Sequence, residues 1–225
     1  MMKTFVITGS SRGIGHALVN LALDAGHCVY ALSRNTQSLK KTNRLYPISI
    51  DLTDEKAIVT FSKQLQEEGI KIDALINNAG ALVNKPFRET TVVDFESVFR
   101  VNVFGLASLT RALLPFIALK GHVVNISSMG GIDGSSKFPG LAAYSSSKGA
   151  VNILTELLAE EYKETGPSFN ALALGAVQTE MLAAAFPGFK APLSAQEMAS
   201  YVLQFALEGQ KFYNGKILAV SSTTP

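Results

Sequence analysis

The chain has 225 residues, of which 47% are hydrophobic and 17% are charged. The few charges and the absence of biased tracts exclude a disordered or fibrous protein, and the length predicts one domain, residues 1–225. Twenty Lys and Arg residues against 18 Asp and Glu residues give a formal net charge of +2. Because the basic residues are scattered, the charge pattern favours neither a nucleic acid nor a membrane surface as a partner.

Strand-like and helix-like segments alternate along the chain. Helical spacing predicts a helix directly after residue 15, with others at 37–44, 54–68, 91–119, 141–165 and 195–208. Apolar runs predict strands at 4–8, 27–33, 47–50, 72–77, 122–127, 169–174 and 216–220. Strands that are apolar throughout are covered on both faces, and intervening helices make a sheet parallel. The predicted fold class is therefore α/β, a single doubly wound, Rossmann-like parallel sheet with helices on both faces.

The single cysteine, Cys28, has no partner within the chain, so we expect a small buried hydrophobe inside a strand rather than a disulfide. The apolar run at the amino terminus ends at Thr8 and is too short for a signal-peptide core. The most apolar stretch, residues 101–119, contains an Asn, an Arg and a Pro, which favours a buried helix over a membrane span. We therefore expect a cytoplasmic protein.

Ligands of doubly wound sheets bind beyond the carboxyl ends of the strands, near the point where the strand order reverses. Five loops follow predicted strands, so we expect them to converge on one site; they begin at Gly9, Ser33, Asn78, Ser128 and Gly175.

A glycine-rich turn follows the first predicted strand. Gly9, Gly13 and Gly15 give the spacing G-x-x-x-G-x-G, and such a turn lets backbone N–H groups and a helix amino terminus meet a pyrophosphate. The general dinucleotide fingerprint, G-x-G-x-x-G, is absent. The strand, turn and helix context therefore favours dinucleotide binding, and a plain glycine turn remains the alternative.

The same turn also matches the G-x-S-x-G nucleophile elbow of hydrolases, with Ser11 in the place of the nucleophile. A serine hydrolase needs an acidic residue and then a histidine further along the chain. The three histidines are His16, His27 and His122, and none of them has an obvious reach to Ser11. The pattern therefore disfavours a serine hydrolase.

The end of the second predicted strand carries information on the nucleotide. An acidic residue there accepts the ribose hydroxyls of NAD, whereas an Arg accommodates the 2′-phosphate of NADP. Here Ser33 and Arg34 occupy that position, and Arg12 in the glycine turn supplies a second cation. This chemistry favours NADP(H) over NAD(H), and the simpler interpretation is that both arginines are solvated surface residues.

Tyr144 and Lys148 lie four residues apart in a predicted helix, so they share one face. An ammonium so close is expected to lower the pKa of the phenol from its ordinary value near 10 and to make it a usable proton donor and acceptor. Taken alone, the pattern Y-x-x-x-K is a weak signal, and an ordinary pair on a helix surface explains it better.

Five segments of the chain form a joint motif set: residues 8–15, residues 77–80, Asn102, residues 127–128 and residues 144–148. In their order and nearly in their spacing they resemble the short-chain dehydrogenase/reductase family, and the resemblance extends from about residue 4 to residue 221. It implies hydride transfer between a nicotinamide and a carbonyl or alcohol carbon.

The resemblance also implies roles for four residues. Tyr144 would give a proton to the carbonyl oxygen, and Lys148 would lower the pKa of Tyr144 and bond the nicotinamide ribose. Ser128 would hydrogen-bond the substrate oxygen, and Asn102 would hold a water that links Lys148 to solvent. Donors placed where negative charge develops stabilise the transition state.

An NADP(H) site is predicted from the glycine turn together with the resemblance, and no metal is expected. Asp51 with Leu52 would contact the adenine, residues 78–80 would pass near the adenosine ribose, and Thr179 would meet the nicotinamide end. The complete predicted set is Gly9, Ser11, Arg12, Gly13, Ile14, Gly15, Ser33, Arg34, Asp51, Leu52, Asn78, Ala79, Gly80, Tyr144, Lys148, Gly175, Val177 and Thr179.

Three places depart from the family pattern, and one of them is residues 174–175, where Leu-Gly stands in place of the usual Pro-Gly. The segment from Ser128 to Tyr144 is about three residues longer than usual, and residues 135–137 look inserted. Further on, a set of apolar residues is compatible either with a lid over a substrate or with plain packing against the helices: Phe138, Met181, Leu182, Phe186, Pro187 and Phe189.

These observations predict an NADPH-dependent carbonyl reductase that acts on a small or apolar ketone or aldehyde, or on the corresponding alcohol. The alternative is a non-catalytic NADP-binding sensor or scaffold protein on the same fold. The resemblance also implies a homodimer or homotetramer formed through the helices predicted at 91–119 and 141–165.

Overall fold

The computed structural model of the protein describes residues 1–221. Its strands are β1 (Thr4–Thr8), β2 (Cys28–Ser33), β3 (Leu45–Ser49), β4 (Ile72–Asn77), β5 (Ile117–Ser128), β6 (Ser168–Leu174), β7 (Val177–Gln178), β8 (Leu193–Ser194) and β9 (Lys216–Val220). Its helices are α1 (Gly13–Asp24), α2 (Glu55–Glu67), α3 (Val92–Phe99), α4 (Leu106–Leu113), α5 (Ala142–Glu161), α6 (Glu180–Ala185) and α7 (Ala195–Glu208).

Seven strands form one parallel sheet in the order β3-β2-β1-β4-β5-β6-β9. The order runs outward in both directions from the β1 and β4 pair, so the reversal lies between these two strands. This is the doubly wound, Rossmann-like α/β arrangement that the alternation of elements predicted. Short β7 and β8 pair separately from the sheet.

Each face of the sheet packs on its own apolar layer. In β1, Phe5 and Ile7 point to the layer that includes α1 and α7, whereas Val6 points to the layer that includes α2 and α4. Alternate side chains of a strand face opposite ways, so a sheet covered on both sides needs apolar residues at every position. This explains why the buried strands read as continuous apolar runs.

The helix predicted at 37–44 is wrong, because those residues form turns and irregular structure. Polar side chains bond to the nearby backbone there: Asn35 Oδ1 accepts from Gln37 N, and Thr42 Oγ1 accepts from Arg44 N and Leu45 N. Short polar side chains that satisfy the local backbone compete with the helical hydrogen-bond pattern.

The long helix predicted at 91–119 is divided. A π-helical turn, Arg100–Gly105, separates α3 from α4, and α4 ends at Leu113. Pro115 follows in a 3₁₀ turn, and β5 begins at Ile117, earlier than the predicted strand. Proline lacks the N–H that a continuing helix needs, so the chain leaves the helix there.

Smaller differences lie at other element ends. The helix predicted at 141–165 ends at Glu161, whereas α7 and β9 have the predicted bounds. Neither α6 nor the β7 and β8 pair was predicted. Cys28 opens β2 and is half-buried, so it is less enclosed than expected. Within residues 1–221, every helix is too short or too polar to cross a bilayer.

Candidate active site

A cleft of about 1180 Å³ opens at the carboxyl ends of β1, β2, β4, β5 and β6. This volume exceeds the roughly 300–1,000 Å³ of most small-molecule pockets, which leaves room for a dinucleotide together with a substrate. The five loops that begin at Gly9, Ser33, Asn78, Ser128 and Gly175 all reach it. Of the residues predicted for the site, only Gly15 and Asn102 lie outside its lining.

The glycine turn forms the floor of one end of the cleft. Gly9 and Gly13 have φ values of +68° and +57°, the left-handed region that favours glycine. Arg12 is the N-cap of α1, and its side chain makes no capping bond, so the first N–H groups of the helix point towards the cleft without a side-chain partner. This arrangement fits an anionic group such as a pyrophosphate.

Gly15 lies behind the turn rather than in the lining. A Cβ atom on Gly15 would overlap the carbonyl of Gly9 and the side-chain amide of Asn78. The residue is therefore required for close packing between the turn and the end of β4, and its contribution to a ligand site is indirect.

Thr8 joins the two strands at the reversal point, and sequence reasoning did not assign it to the site. Its Oγ1 accepts from the backbone N–H groups of Asn78 at 3.0 Å and Ala79 at 2.9 Å, and Asn78 Nδ2 donates to Thr8 O at 3.0 Å. These bonds fix the loop after β4 against the glycine turn. The sequence carried a signal for this role, because Thr8 is a hydroxyl residue at the end of a strand, directly before the glycine turn.

Two cations lie at the end of the cleft formed by the glycine turn and β2. Arg12 and Arg34 are exposed and line the cleft, and neither forms an ion pair within the described part of the chain. Ser33 Oγ donates to Asn35 O at 2.7 Å. The sequence did not single out three other polar residues of this region that line the cleft: Asn35, Gln37 and Ser38.

Asp51 follows β3 and also lines the cleft. Its carboxylate accepts from Thr53 N at 2.9 Å and from Thr53 Oγ1 at 2.8 Å. The bond from the Thr53 backbone is the main cause that lowers the pKa of Asp51, and the nearby Arg34 charge adds to it. The Asp51 carboxylate is thus ionised and already hydrogen-bonded to Thr53 within the turn that follows β3.

Ser128, Tyr144 and Lys148 come together on the wall of the cleft beneath β5 and α5. The Ser128 hydroxyl lies beside the Tyr144 hydroxyl, close enough to lower its pKa. Lys148 Nζ donates to Ile126 O at 2.7 Å and lies 5.6 Å from the centroid of the Tyr144 ring. Two hydroxyls and an ammonium therefore surround one point where a polar atom of a ligand can be bound.

The prediction that Lys148 lowers the pKa of the phenol is wrong for this state of the protein. Burial raises the pKa of Tyr144 to about 12, and the neighbouring Ser128 hydroxyl only partly opposes this rise. Burial also lowers the pKa of Lys148 to about 8. Removal from water disfavours the charged form of each group, and the ammonium is directed at Ile126 O and the ring.

Asn102 lies in the π-helical turn and is buried behind the cleft. Its Oδ1 accepts from Ala81 N at 2.7 Å, and its Nδ2 donates to Ala81 O at 3.0 Å and to Ser147 Oγ at 2.9 Å. A Cβ atom on Gly80 would lie 3.5 Å from Asn102 Oδ1 and 3.8 Å from Lys148 Nζ. Asn102 thus fixes the loop after β4 beside Lys148, and its predicted water stays a prediction.

The other end of the cleft is apolar. Its lining there includes Phe138, Leu141, Met181, Leu182, Phe186 and Phe189, whereas Pro187 lies outside it. The segment that looks inserted folds back on itself, because Ser135 Oγ donates to Met129 O at 2.7 Å and Lys137 Nζ donates to Ile132 O at 2.6 Å. Phe138 is thereby brought to the rim.

Neither His27 nor His122 completes a hydrolase site with Ser11. The His27 ring accepts from Lys3 N, and the His122 ring bonds Asn170 and the Ala206 carbonyl. His27 precedes β2, and His122 is paired with the first residue of β6, so both lie towards the opposite edge of the sheet from Ser11.

Comparison with known proteins gives a consistent result. The family model described as short chain dehydrogenase matches residues 3–188. An oxidoreductase named BOA17 from Botryotinia fuckeliana (strain B05.10) is 34% identical over 188 residues, which is 80% of this chain and 68% of the relative.

Solved structures agree with the sequence relatives. The structure of a 4-hydroxyisoleucine dehydrogenase complexed with NADH has a TM-score of 0.86 at 28% identity and covers 97% of both chains. A point variant of ElxO with NADPH bound has a TM-score of 0.84 at 26% identity, also over 97% of both chains. With its fold, its cleft and a family match over most of its length, the chain belongs to the short-chain dehydrogenase family of oxidoreductases.

Proposed function

We propose that the protein is an NADPH-dependent carbonyl reductase that acts on a small or apolar ketone or aldehyde, or on the corresponding alcohol in the reverse direction. The observation that carries the proposal is the meeting of Ser128, Tyr144 and Lys148 between the glycine turn and the apolar end of one cleft. A dinucleotide that extends from the glycine turn to these three residues would leave the apolar end of the cleft free for the substrate.

Bound NADPH supplies the hydride that reduces the carbonyl carbon. The Tyr144 hydroxyl donates the proton that the carbonyl oxygen takes up, and it stays protonated before the reaction because burial raises its pKa to about 12. Ser128 lies beside the Tyr144 hydroxyl and offers a second hydroxyl to the substrate oxygen. The products are an alcohol and NADP⁺.

Lys148 supplies positive charge beside the phenol as Tyr144 gives up its proton. The ammonium is buried and lies over the ring, where charges interact more strongly than in water. It therefore stabilises the negative charge that develops on the tyrosine and substrate oxygens in the transition state. This role does not require Lys148 to lower the pKa of Tyr144 in the free protein.

The preference for NADPH rests on charge at the β2 end of the cleft. Arg12 and Arg34 line it without ion-pair partners in the described part of the chain, and Ser33 and Arg34 stand where an NAD enzyme has a carboxylate. The solved relatives hold NADH in one case and NADPH in another. Membership of the family does not decide between NADH and NADPH. The two guanidinium groups favour NADPH, because it carries a 2′-phosphate.

We also propose a homo-oligomer formed through the helices around α4 and α5. Phe104 in the π-helical turn and Ile153 and Leu157 on α5 are large apolar residues with more than half of their surface exposed. Apolar residues one turn apart on an exposed helix face are typical of an interface. Analytical ultracentrifugation distinguishes a monomer from a dimer or tetramer.

The function is tested by titrating the purified protein with NADPH and NADH in parallel and following the nicotinamide fluorescence. Absorbance at the nicotinamide band then reports turnover over a panel of small and apolar ketones and aldehydes. We expect tighter binding of NADPH and its oxidation by members of the panel. Binding of NADPH without turnover by any member favours the sensor or scaffold alternative, and no binding of either nucleotide contradicts the cofactor assignment.

A further inference from the structure

The segment that covers the apolar end of the cleft is weakly attached to the rest of the protein. Helix α6 has no buried residue, although Met181 and Leu182 line the cleft. Within residues 1–221, the hydrogen bonds of residues 180–190 are internal or go to the adjacent cap residue Thr179, with a single exception. That exception is the bond from Asn84 Nδ2 to Ala185 O, at 2.7 Å.

The acceptor of this bond is an end group of the helix. Ala185 is the last residue of α6, and the final carbonyls of a helix have no partner within it. Asn84 therefore satisfies a carbonyl that would otherwise face water, and it does so across 101 residues of sequence.

The donor side of the bond is firmly held. The neighbouring Lys85 N donates to Gly140 O at 3.0 Å, and Lys85 Nζ contacts Asp94 at 2.8 Å. Asp94 also completes the capping box of α3 with Thr91. Asn84 thus stands on a segment fixed between α3 and the approach to α5.

Gly140 allows Asn84 to come this close. Gly140 has a φ of +89°, and a Cβ atom there would overlap Asn84 Oδ1. The amide is consequently packed against the backbone on one side and bonded to α6 on the other. Leu141, which lines the cleft, follows directly and precedes the helix that carries Tyr144.

We infer that Asn84 is a positioning residue that latches α6 over the substrate end of the cleft, an inference that deepens the proposed function and rests on it. With the bond formed, Met181 and Leu182 are held against the apolar part of a bound carbonyl compound. Because Asn84 is exposed, water can replace its bond, so the latch opens and recloses at small cost. The latch thereby selects apolar substrates that fit beneath α6 and allows the product to leave.

Hydrogen exchange measured by mass spectrometry tests the latch without relying on activity. Asn84→Asp keeps the shape of the side chain but sets an oxygen against the Ala185 carbonyl. We expect amides in residues 181–189 to exchange about tenfold faster, because opening costs less when this bond is lost. Asn43→Asp is the matched control, since Asn43 is exposed, far along the chain from α6, and makes no side-chain hydrogen bond within residues 1–221.

Asn84→Ala removes the donor without adding charge and is measured in parallel. Faster exchange confined to residues 181–189 in both Asn84 variants supports the latch. Unchanged exchange there, or exchange that rises throughout the chain in both variants, overturns it.

Steady-state kinetics of the same variants test the link to the substrate. We expect the KM of an apolar ketone to rise several-fold in both Asn84 variants, with kcat unchanged or higher and the KM of NADPH unchanged. A KM and kcat that both stay at wild-type values, with exchange in α6 accelerated, overturn the role in substrate selection. If the wild-type protein turns over no ketone, the proposed function fails, while the exchange experiment still decides whether Asn84 holds α6.

Discussion

The Lys148 ammonium lies over the ring of Tyr144, 5.6 Å from its centroid, and donates a 2.7 Å hydrogen bond to Ile126 O. Burial raises the pKa of Tyr144 to about 12 and lowers that of Lys148 to about 8. The ammonium is therefore the first of the two to lose its proton as the pH rises. Near neutrality the pair consists of a neutral phenol and a cation, which is the state that a carbonyl reduction requires.

This order of deprotonation predicts a pH profile. For reduction, kcat/KM for the ketone at saturating NADPH should fall above about pH 8, approaching tenfold per pH unit, because Lys148 loses the charge that stabilises the transition state. The profile is measured with saturating NADPH and limiting ketone between pH 6 and pH 10, so that the rate includes ketone binding and the chemical step. A profile that stays flat up to pH 10 would contradict the role of Lys148.

Replacing the proposed proton donor separates chemistry from binding. Tyr144→Phe should reduce kcat by about 10²–10⁴-fold, because the phenyl ring has no proton to give. Its affinity for NADPH should stay within a few-fold of the wild type, since most of the cleft that would hold the nucleotide lies elsewhere. Stopped-flow absorbance and fluorescence titration measure the two quantities. A variant that reduces the ketone at a near-normal rate would remove Tyr144 from the mechanism.

Reversing the charge at the β2 end tests nucleotide choice. Arg34→Asp should weaken NADPH binding by about 10- to 100-fold and NADH binding far less, because the new carboxylate repels only the 2′-phosphate. Isothermal titration calorimetry gives both affinities. Arg88→Asp makes the same change at an exposed arginine outside the cleft lining and should leave both unchanged. Equal losses for the two nucleotides in Arg34→Asp would show that Arg34 does not contact the phosphate.

A buried histidine predicts how stability depends on pH. His122 Nδ1 lies 3.3 Å from Ala206 O, which can only accept, and Asn170 Nδ2 lies 2.9 Å from His122 Nε2. The ring is therefore neutral, with its proton on Nδ1. Burial is the main cause that lowers the pKa of His122 from 6.5 to about 4.

The unfolded chain gains a proton at His122 below about pH 6.5, whereas the folded protein gains it only near pH 4, so the free energy of unfolding falls as the pH falls through this window. Between pH 7.5 and pH 5 the loss from this residue should be about 2 kcal/mol. Urea unfolding of the wild type and of His122→Asn at both pH values measures it. Between the two pH values, the free energy of unfolding of His122→Asn should fall by about 2 kcal/mol less than that of the wild type. Equal falls in the two proteins would contradict the lowered pKa of His122.

Local sequence determined most of the sheet and most of the candidate site. Strands buried on both faces are largely apolar, so their positions were visible in the sequence, and Ser128 and most of the nucleotide-binding candidates lie at or just after their carboxyl ends. The bounds of α7 and β9 were also predicted, and in the structure a capping box from Ser194 and Glu197 stabilises the start of α7.

Tertiary structure decided the features that depend on distant residues. The π-helical turn set Asn102 against Ala81 and Ser147, which lie 21 and 45 residues away in the chain. The pKa of Tyr144 depends on burial, which no four-residue spacing encodes. The bond from Asn84 to Ala185 joins groups 101 residues apart, so only the folded chain brings them together. Sequence patterns show the local conformational preferences and the apolar faces of each segment. Burial and long-range hydrogen bonds exist only once the sheet and its helices have packed.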